Sequence, residues 1–427
     1  MRRCGLSNIT GLVCRDCRRR YSAEAVSRCE VCFGALEADY NYSKIRKQVT
    51  RKRIQRGPGS IWRYREFLPV DADKAVDIAP GFSPLLRADR LGEALGIKHL
   101  FIKNDTVNPT FSCKDRMVSI AVSKAVELDY NAVACASLGN LAHSLAVHAA
   151  RAGIKGYVLA PSGSDETQLL ATGMFAPKLI TVNGATSDLN KLCREAMESM
   201  PWAFVNVNLR PYYSEGAKTI GFEILEQLGW NLPDHVIVPA ASGTTIAMVK
   251  KGITEMYEGE LVKKPRVAYH AVQAQGCSPI VKAFESGSEL IQPETPNTIA
   301  KSLSVGNPPD GAYALNTIRD THGTATGVND QEMLEGVKLL AESEGIFAEP
   351  AGGAAVMAAK KLASKKTFKA SDAVVLVITA HGMKTPELMP GLATKPIEVE
   401  PTLDSLRAAV TGGQQAQPPA APGGGSM

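Results

Sequence analysis

From His99 to Ile378 short apolar, β-branched runs alternate with stretches of helical period. The runs predict strands at His99–Lys103, Ala132–Ala136, Gly156–Ala160, Leu179–Val182, Ala203–Val207, His235–Pro239 and Ala373–Ile378. Helical patterns follow most of them, as at Met117–Leu128, Leu141–Ala152, Glu215–Leu228 and Thr244–Met256. Such alternation predicts an α/β fold with a mostly parallel sheet covered on both faces. Ligands in these folds bind at the carboxyl ends of strands, where loops meet helix N-termini. No internal repeat is visible. Residues 411–427, rich in Gly, Gln, Pro and Ala, read as a disordered low-complexity tail.

Composition narrows the class. The 427 residues have room for one large domain or two to three ordinary ones, and 44% hydrophobic with 21% charged residues is the balance of a soluble globular protein. No apolar stretch reaches membrane-spanning length and the first residues lack a secretion signal, so a cytoplasmic protein with no membrane partner is expected. The net charge of +5 is mild. Its basic residues concentrate at Arg18–Arg20 and between Lys44 and Arg56, and the latter run reads as a solvated linker, so no nucleic-acid partner is expected.

Nine cysteines, five of them before residue 33, change the picture at the N-terminus. Cys14-x-x-Cys17 and Cys29-x-x-Cys32, separated by eleven residues, place four thiolates within tetrahedral reach of one zinc ion. Residues 1–48 therefore read as a zinc-ribbon-like segment, the alternative being the same ribbon without metal. Four protein ligands leave no open position, which makes the role structural. So small a segment has too little core to fold alone, so metal would supply the stability. Cys4 falls outside the pattern. Cys113, Cys135, Cys193 and Cys277 are scattered, as in a reduced chain.

Four junctions carry candidate chemistry. Asn108–Arg116 isolates Lys114 just before an apolar helix. An amine that attacks an aldehyde must be partly unprotonated, which requires a pocket. The plainer alternative is a helix-start lysine paired with Asp115. Ser137-Leu138-Gly139-Asn140 follows a strand and opens a helix, offering an amide to an anionic oxygen or simply an N-cap. Ala240–Thr245 again joins strand to helix with small residues and hydroxyls, suiting a phosphate dianion or merely starting a helix. Thr379, at a strand end, can hydrogen-bond a ring nitrogen without charge, while His381 and Lys384 read as loop residues. Together the four match the aldehyde, phenolate, phosphate and pyridine nitrogen of pyridoxal 5'-phosphate. A neutral partner for that nitrogen suits elimination and replacement chemistry better than transamination.

The chain also resembles the threonine synthases, members of the tryptophan-synthase-β-like (fold type II) group of pyridoxal-phosphate enzymes. The resemblance rests on Gly57–Tyr64, Lys103–Thr110, Ser112–Arg116, Glu215–Thr219, Glu344–Ala351 and Thr379–Lys384, besides the ribbon-like start. It implies two doubly wound parallel-sheet subdomains within a catalytic domain at 56–395, the smaller at roughly 117–222. It further implies that Lys114 holds the cofactor covalently and shuttles protons. Asn140 would contact the cofactor's 3'-oxygen, Ala241, Ser242, Gly243, Thr244 and Thr245 its phosphate, and Thr379 its ring nitrogen. Such enzymes convert O-phospho-L-homoserine and water to L-threonine and phosphate, with Ser137, Arg210 and Lys218 as candidate substrate residues and a homo-oligomer expected. Leu138 and Leu141 stand where the family pattern carries hydroxyls, Tyr213 where it carries a basic residue and Cys113 where it carries an aromatic one. Arg210, with Lys218, is read as the receiver of the leaving phosphate. The alternative is another enzyme of this fold: a serine or threonine dehydratase, or a sulfhydrylase using O-phosphoserine or O-acetylserine.

Overall fold

The computed structural model describes residues 7–412 apart from 138 and 185. Strands β1 (Ile9–Cys14), β2 (Arg20–Tyr21) and β3 (Leu36–Tyr40) form an antiparallel sheet in the order β2-β1-β3. Strands β4 (Leu85–Arg87) and β5 (His99–Asn104) follow. Strands β6 (Ala132–Ala136), β7 (Lys155–Pro161), β8 (Lys178–Val182) and β9 (Ala203–Phe204) make a smaller parallel sheet in the order β8-β7-β6-β9. Strands β10 (His235–Pro239), β11 (Ala268–Ala274), β12 (Ala325–Val328) and β13 (Ala373–Ile378) join β4 and β5 in a six-stranded sheet, β12-β11-β10-β13-β5-β4. All its pairings are parallel except β4 with β5.

Sequence and structure part company in instructive places. The run expected to be a strand to Val207 pairs only over Ala203–Phe204, because the Val207 N–H turns back to the Phe204 carbonyl at 3.1 Å. Strand β11 escaped the pattern because His270 and Gln273 interrupt its apolar run. Gln273 is buried but satisfied, donating to the Ala240 carbonyl and accepting from the Ile280 and Val281 amides. The Lys44–Arg56 run is not a solvated linker. It forms the helices Tyr42–Gln48 and Arg51–Gln55, which bury Ile45 and Ile54 in the main core, as the link between them buries Val49. Its arginines are engaged as well: Arg51 donates to the Leu261 carbonyl, and Arg53 pairs with Glu66 at 2.6 Å.

Leu12, Cys14 and Cys29 of the N-terminal segment belong to the same apolar core, so docking as well as any metal stabilises that segment. Contacts divide the chain into one compact unit up to Pro386 and a second from Glu387. The second contains the helix Leu403–Gly412, and the segment expected as a tail lies outside the described residues from 413 onward.

One close helix contact frames the site. The helix Arg210–Gln227 is almost wholly buried and crosses the helix Lys114–Glu127 at Gly216. A Cβ there would lie 2.3 Å from the Arg116 carbonyl oxygen, so only glycine permits the approach. Beneath the crossing, Arg116 pairs with Asp105 and Glu223, and Lys103 with Glu223, all fully buried.

Candidate active site

The carboxyl ends of β6, β10 and β13 converge on a cavity of about 590 Å³, a volume typical of small-molecule sites. Lys114, Ser137, Asn140, Arg210, Ala241, Ser242 and Thr244 line it. An adjoining cleft of about 50 Å³ shares Lys114 and Asn140 and adds Thr245 and Thr379.

Lys114 is placed by backbone pairing of the two residues before it. The Cys113 amide donates to the Thr379 carbonyl at 2.8 Å, and Ser112 bridges to Ala380. The lysine is not paired with Asp115, whose buried carboxylate accepts from the Thr110 amide and hydroxyl, each at 2.7 Å, and from the Ser144 hydroxyl at 2.6 Å. Burial pulls the Lys114 ammonium pKa down, but Tyr213, Cys113 and Glu349 outweigh it and hold the group above its ordinary value. The expectation of an amine depressed by burial is corrected accordingly: acidic neighbours decide the sign.

Asn140 opens the helix Asn140–Ala152 and donates to Glu349 Oε2 at 3.2 Å, while its own Oδ1 is buried without a partner. Glu349 is buried, and burial pushes its carboxyl pKa up against the opposing Ser302 and Asn140 hydrogen bonds. At the other wall Gly243 caps the helix Thr244–Glu258 with φ +81°, and a Cβ there would lie 2.5 Å from the Asp310 carbonyl oxygen. The turn Ala241–Thr245 thus presents a helix N-terminus to the cavity. The Thr244 hydroxyl is committed, donating to Asp310 Oδ2 at 2.5 Å and lying 3.0 Å from the Ser242 hydroxyl.

Arg210 lines the cavity and is held by Asp310 at 2.7 Å. Lys218 is not brought to it. It lies fully buried on the inner face of its helix, paired with Glu215 and with Glu255 at 2.7 Å, where it joins the helix Arg210–Gln227 to its neighbours. Leu138 lies outside the described residues, while Leu141 and Tyr213 line the cavity.

Lys384, read from sequence as a loop residue, also lines the cavity. Its Nζ lies 2.6 Å from His143 Nδ1. Burial pushes the Lys384 pKa down to about 8, and burial with the Lys384 charge pushes that of His143 down to about 4. A neutral imidazole that accepts from Lys384 at Nδ1 carries its proton on Nε2, 3.3 Å from the Gln168 carbonyl. Glu349 and Lys384 lay within motifs visible in the sequence, yet nothing local marked them as cavity residues.

The four thiols Cys14, Cys17, Cys29 and Cys32 place their sulfurs within 4.8 Å of one another. Each pair sits in a like turn: the Arg18 amide donates to the Cys14 carbonyl and the Phe33 amide to the Cys29 carbonyl, both at 3.1 Å. Arg18 and Phe33 each take positive φ, 63° and 59°. The donor set and its spacing fit a tetrahedral Cys4 zinc site. The residues fit pyridoxal 5'-phosphate equally: amine, unpartnered Asn140 Oδ1 and helix N-terminus border both the cavity and the adjoining cleft, and Thr379 at the strand end borders the cleft.

The profile of the family described as pyridoxal-phosphate dependent enzyme matches residues 76–380. The threonine synthase of Methanocaldococcus jannaschii is 38% identical over 92% of this chain and 98% of its own length. That of Methanosarcina acetivorans is 37% identical over 94% and 98%. Serine racemase from Dictyostelium discoideum superposes with a TM-score of 0.60 at 20% identity, covering 78% of this chain and 98% of its own, a likeness of fold. Among the described residues no helix is long and apolar enough to cross a membrane. Matched along nearly its whole length, this chain belongs to the threonine synthase family of pyridoxal-phosphate dependent enzymes.

Proposed function

We propose that the chain converts O-phospho-L-homoserine and water to L-threonine and phosphate. The observation that carries this reading is one cavity bordered by Lys114, Asn140, the Ala241–Thr245 turn and Arg210. Ala241, Ser242, Gly243, Thr244 and Thr245 would hold the cofactor phosphate through backbone N–H groups, with Asn140 at its 3'-oxygen and Thr379 at its ring nitrogen. The cofactor, when bound, supplies an electron sink at the substrate's α-carbon. Lys114 then removes and returns protons at the α, β and γ carbons, acting from one fixed position. The γ carbon–oxygen bond breaks, phosphate leaves, and hydroxyl from water adds at the β carbon. Arg210, oriented by Asp310, receives the leaving phosphate, and Ser137 faces the substrate.

The same reading includes structural zinc on Cys14, Cys17, Cys29 and Cys32, and a cytoplasmic homo-oligomer acting on a small phosphorylated amino acid without a nucleic-acid partner. Purified holoenzyme incubated separately with O-phosphohomoserine, threonine and O-phosphoserine discriminates the reactions. Phosphate and threonine from the first substrate alone are expected. Keto acid from threonine, or phosphate only from O-phosphoserine, would assign the dehydratase or the sulfhydrylase class instead.

A further inference from the structure

The Cys4 segment touches the phosphate wall of the cavity through residues that lie between and beside its cysteines. Arg15, between Cys14 and Cys17, is largely buried and lies 4.7 Å over the Tyr313 ring. Its Nη2 is 3.0 Å from Met248 Sδ in the helix Thr244–Glu258, and its Nη1 is 3.9 Å from Asp310 Oδ1. Asp16, the next residue, accepts from the Tyr313 hydroxyl at 2.9 Å, and the Ala35 amide donates to that hydroxyl at 3.2 Å. Tyr313 lies in the first turn of the helix Gly311–Asp320, whose N-cap is Asp310.

Asp310 is the point where these contacts meet the cavity. Its Oδ2 accepts from Thr244 and pairs with Arg210, and its amide donates to the Ser242 carbonyl at 2.9 Å. Its carbonyl oxygen abuts Gly243, as the 2.5 Å approach of a Cβ there shows. One buried carboxylate therefore fixes the turn at a helix N-terminus and the cavity's arginine, while the ribbon holds that carboxylate from behind. A buried carboxylate beside an anion site also opposes anion binding unless a cation balances it; Arg210 does so at 2.7 Å, and Arg15, itself 3.4 Å from Glu37 Oε2, adds a longer guanidinium contact on the side away from the cavity.

We infer that Arg15 and Tyr313 are positioning residues by which the N-terminal Cys4 segment sets Asp310, and through it the Ser242–Thr244 turn, for holding the cofactor phosphate. The inference rests on the cavity's holding the cofactor phosphate, and not on which amino acid is the substrate.

The test uses the full-length apoenzyme and compares the affinities of pyridoxal 5'-phosphate and of pyridoxal, which lacks the phosphate, by visible absorbance. Arg15→Met is expected to weaken pyridoxal 5'-phosphate binding about tenfold, the scale of one lost charge-assisted contact. Tyr313→Phe, which keeps the packing, is expected to weaken it about threefold. Pyridoxal affinity should stay unchanged in both, and Arg15→Lys should restore most of the phosphate preference. A purely structural role would move both ligands together. An unchanged preference for pyridoxal 5'-phosphate over pyridoxal in folded Tyr313→Phe and Arg15→Met overturns the inference. Should Arg15→Met fail to fold, Tyr313→Phe decides alone. Because no turnover is measured, the outcome stands whatever reaction the enzyme performs.

Discussion

Lys114 shows how far a single residue's surroundings can depart from the reason for noticing it. Its place before an apolar helix drew attention as a desolvated amine, yet Tyr213, Cys113 and Glu349 hold its pKa above the ordinary value. Burial by itself therefore does not set the state of this amine; its acidic neighbours decide the direction. Replacing Lys114 with Ala should leave borohydride-reduced holoenzyme without a labelled peptide at position 114. Turnover should fall by about 10³-fold or more, the upper range for loss of a positioned acid–base group. A labelled peptide elsewhere in the wild-type protein would remove Lys114 from the chemistry. Lys384 makes the converse point. Read as a loop residue, it meets His143, 241 positions earlier in the chain, a contact that local pattern does not encode.

Secondary elements hold the site through buried charge. Arg116 lies just two positions after Lys114 and bonds Asp105 and Glu223 from inside the core, with Lys103 sharing Glu223. Breaking one partner leaves an uncompensated buried charge, at a cost of about 3–5 kcal/mol. Glu223→Gln should therefore lower unfolding free energy in urea by that order. A change below about 1 kcal/mol would show that the network tolerates the loss. Strand and helix positions from β5 to β10 were legible because their periods are regular. The helices within Tyr42–Gln55 were not, since Ile45, Val49 and Ile54 are too sparse among basic residues to reveal a buried face.

For the molecule as a whole, several buried groups act in one direction with pH. Burial, with the neighbouring Lys384 and His235 charges respectively, pushes the His143 pKa down to about 4 and that of His270 down to about 3. The native state keeps both neutral, whereas the unfolded chain takes protons below about pH 6.5. Their contribution is complete above that pH and is lost as pH falls toward the folded values. Against the penalty of burial, Lys218 and Lys251 hold Glu215 down to about 2, and Arg116 and Lys103 do the same for Glu223, so these contributions fade below about 4.5. The melting temperature should accordingly drop between pH 7 and 5 and more steeply below 4.5. A flat profile from pH 7 to 4 would contradict this assignment.

Legible in the sequence were the α/β class, the strands of the four-stranded sheet and half of those in the six-stranded one, the paired cysteine turns and the junctions where Lys114, Asn140, Ala241–Thr245 and Thr379 stand. Each of these is a local matter of period, spacing or turn chemistry. Tertiary structure alone decided that Lys218 is an internal ion-pair partner while Arg210 faces the cavity, that Glu349 and Lys384 complete its lining, and that the ribbon reaches Asp310. The physical reason is that a side chain's burial and charge environment depend on elements far away along the chain, whereas hydrophobic period and turn chemistry are carried by neighbours.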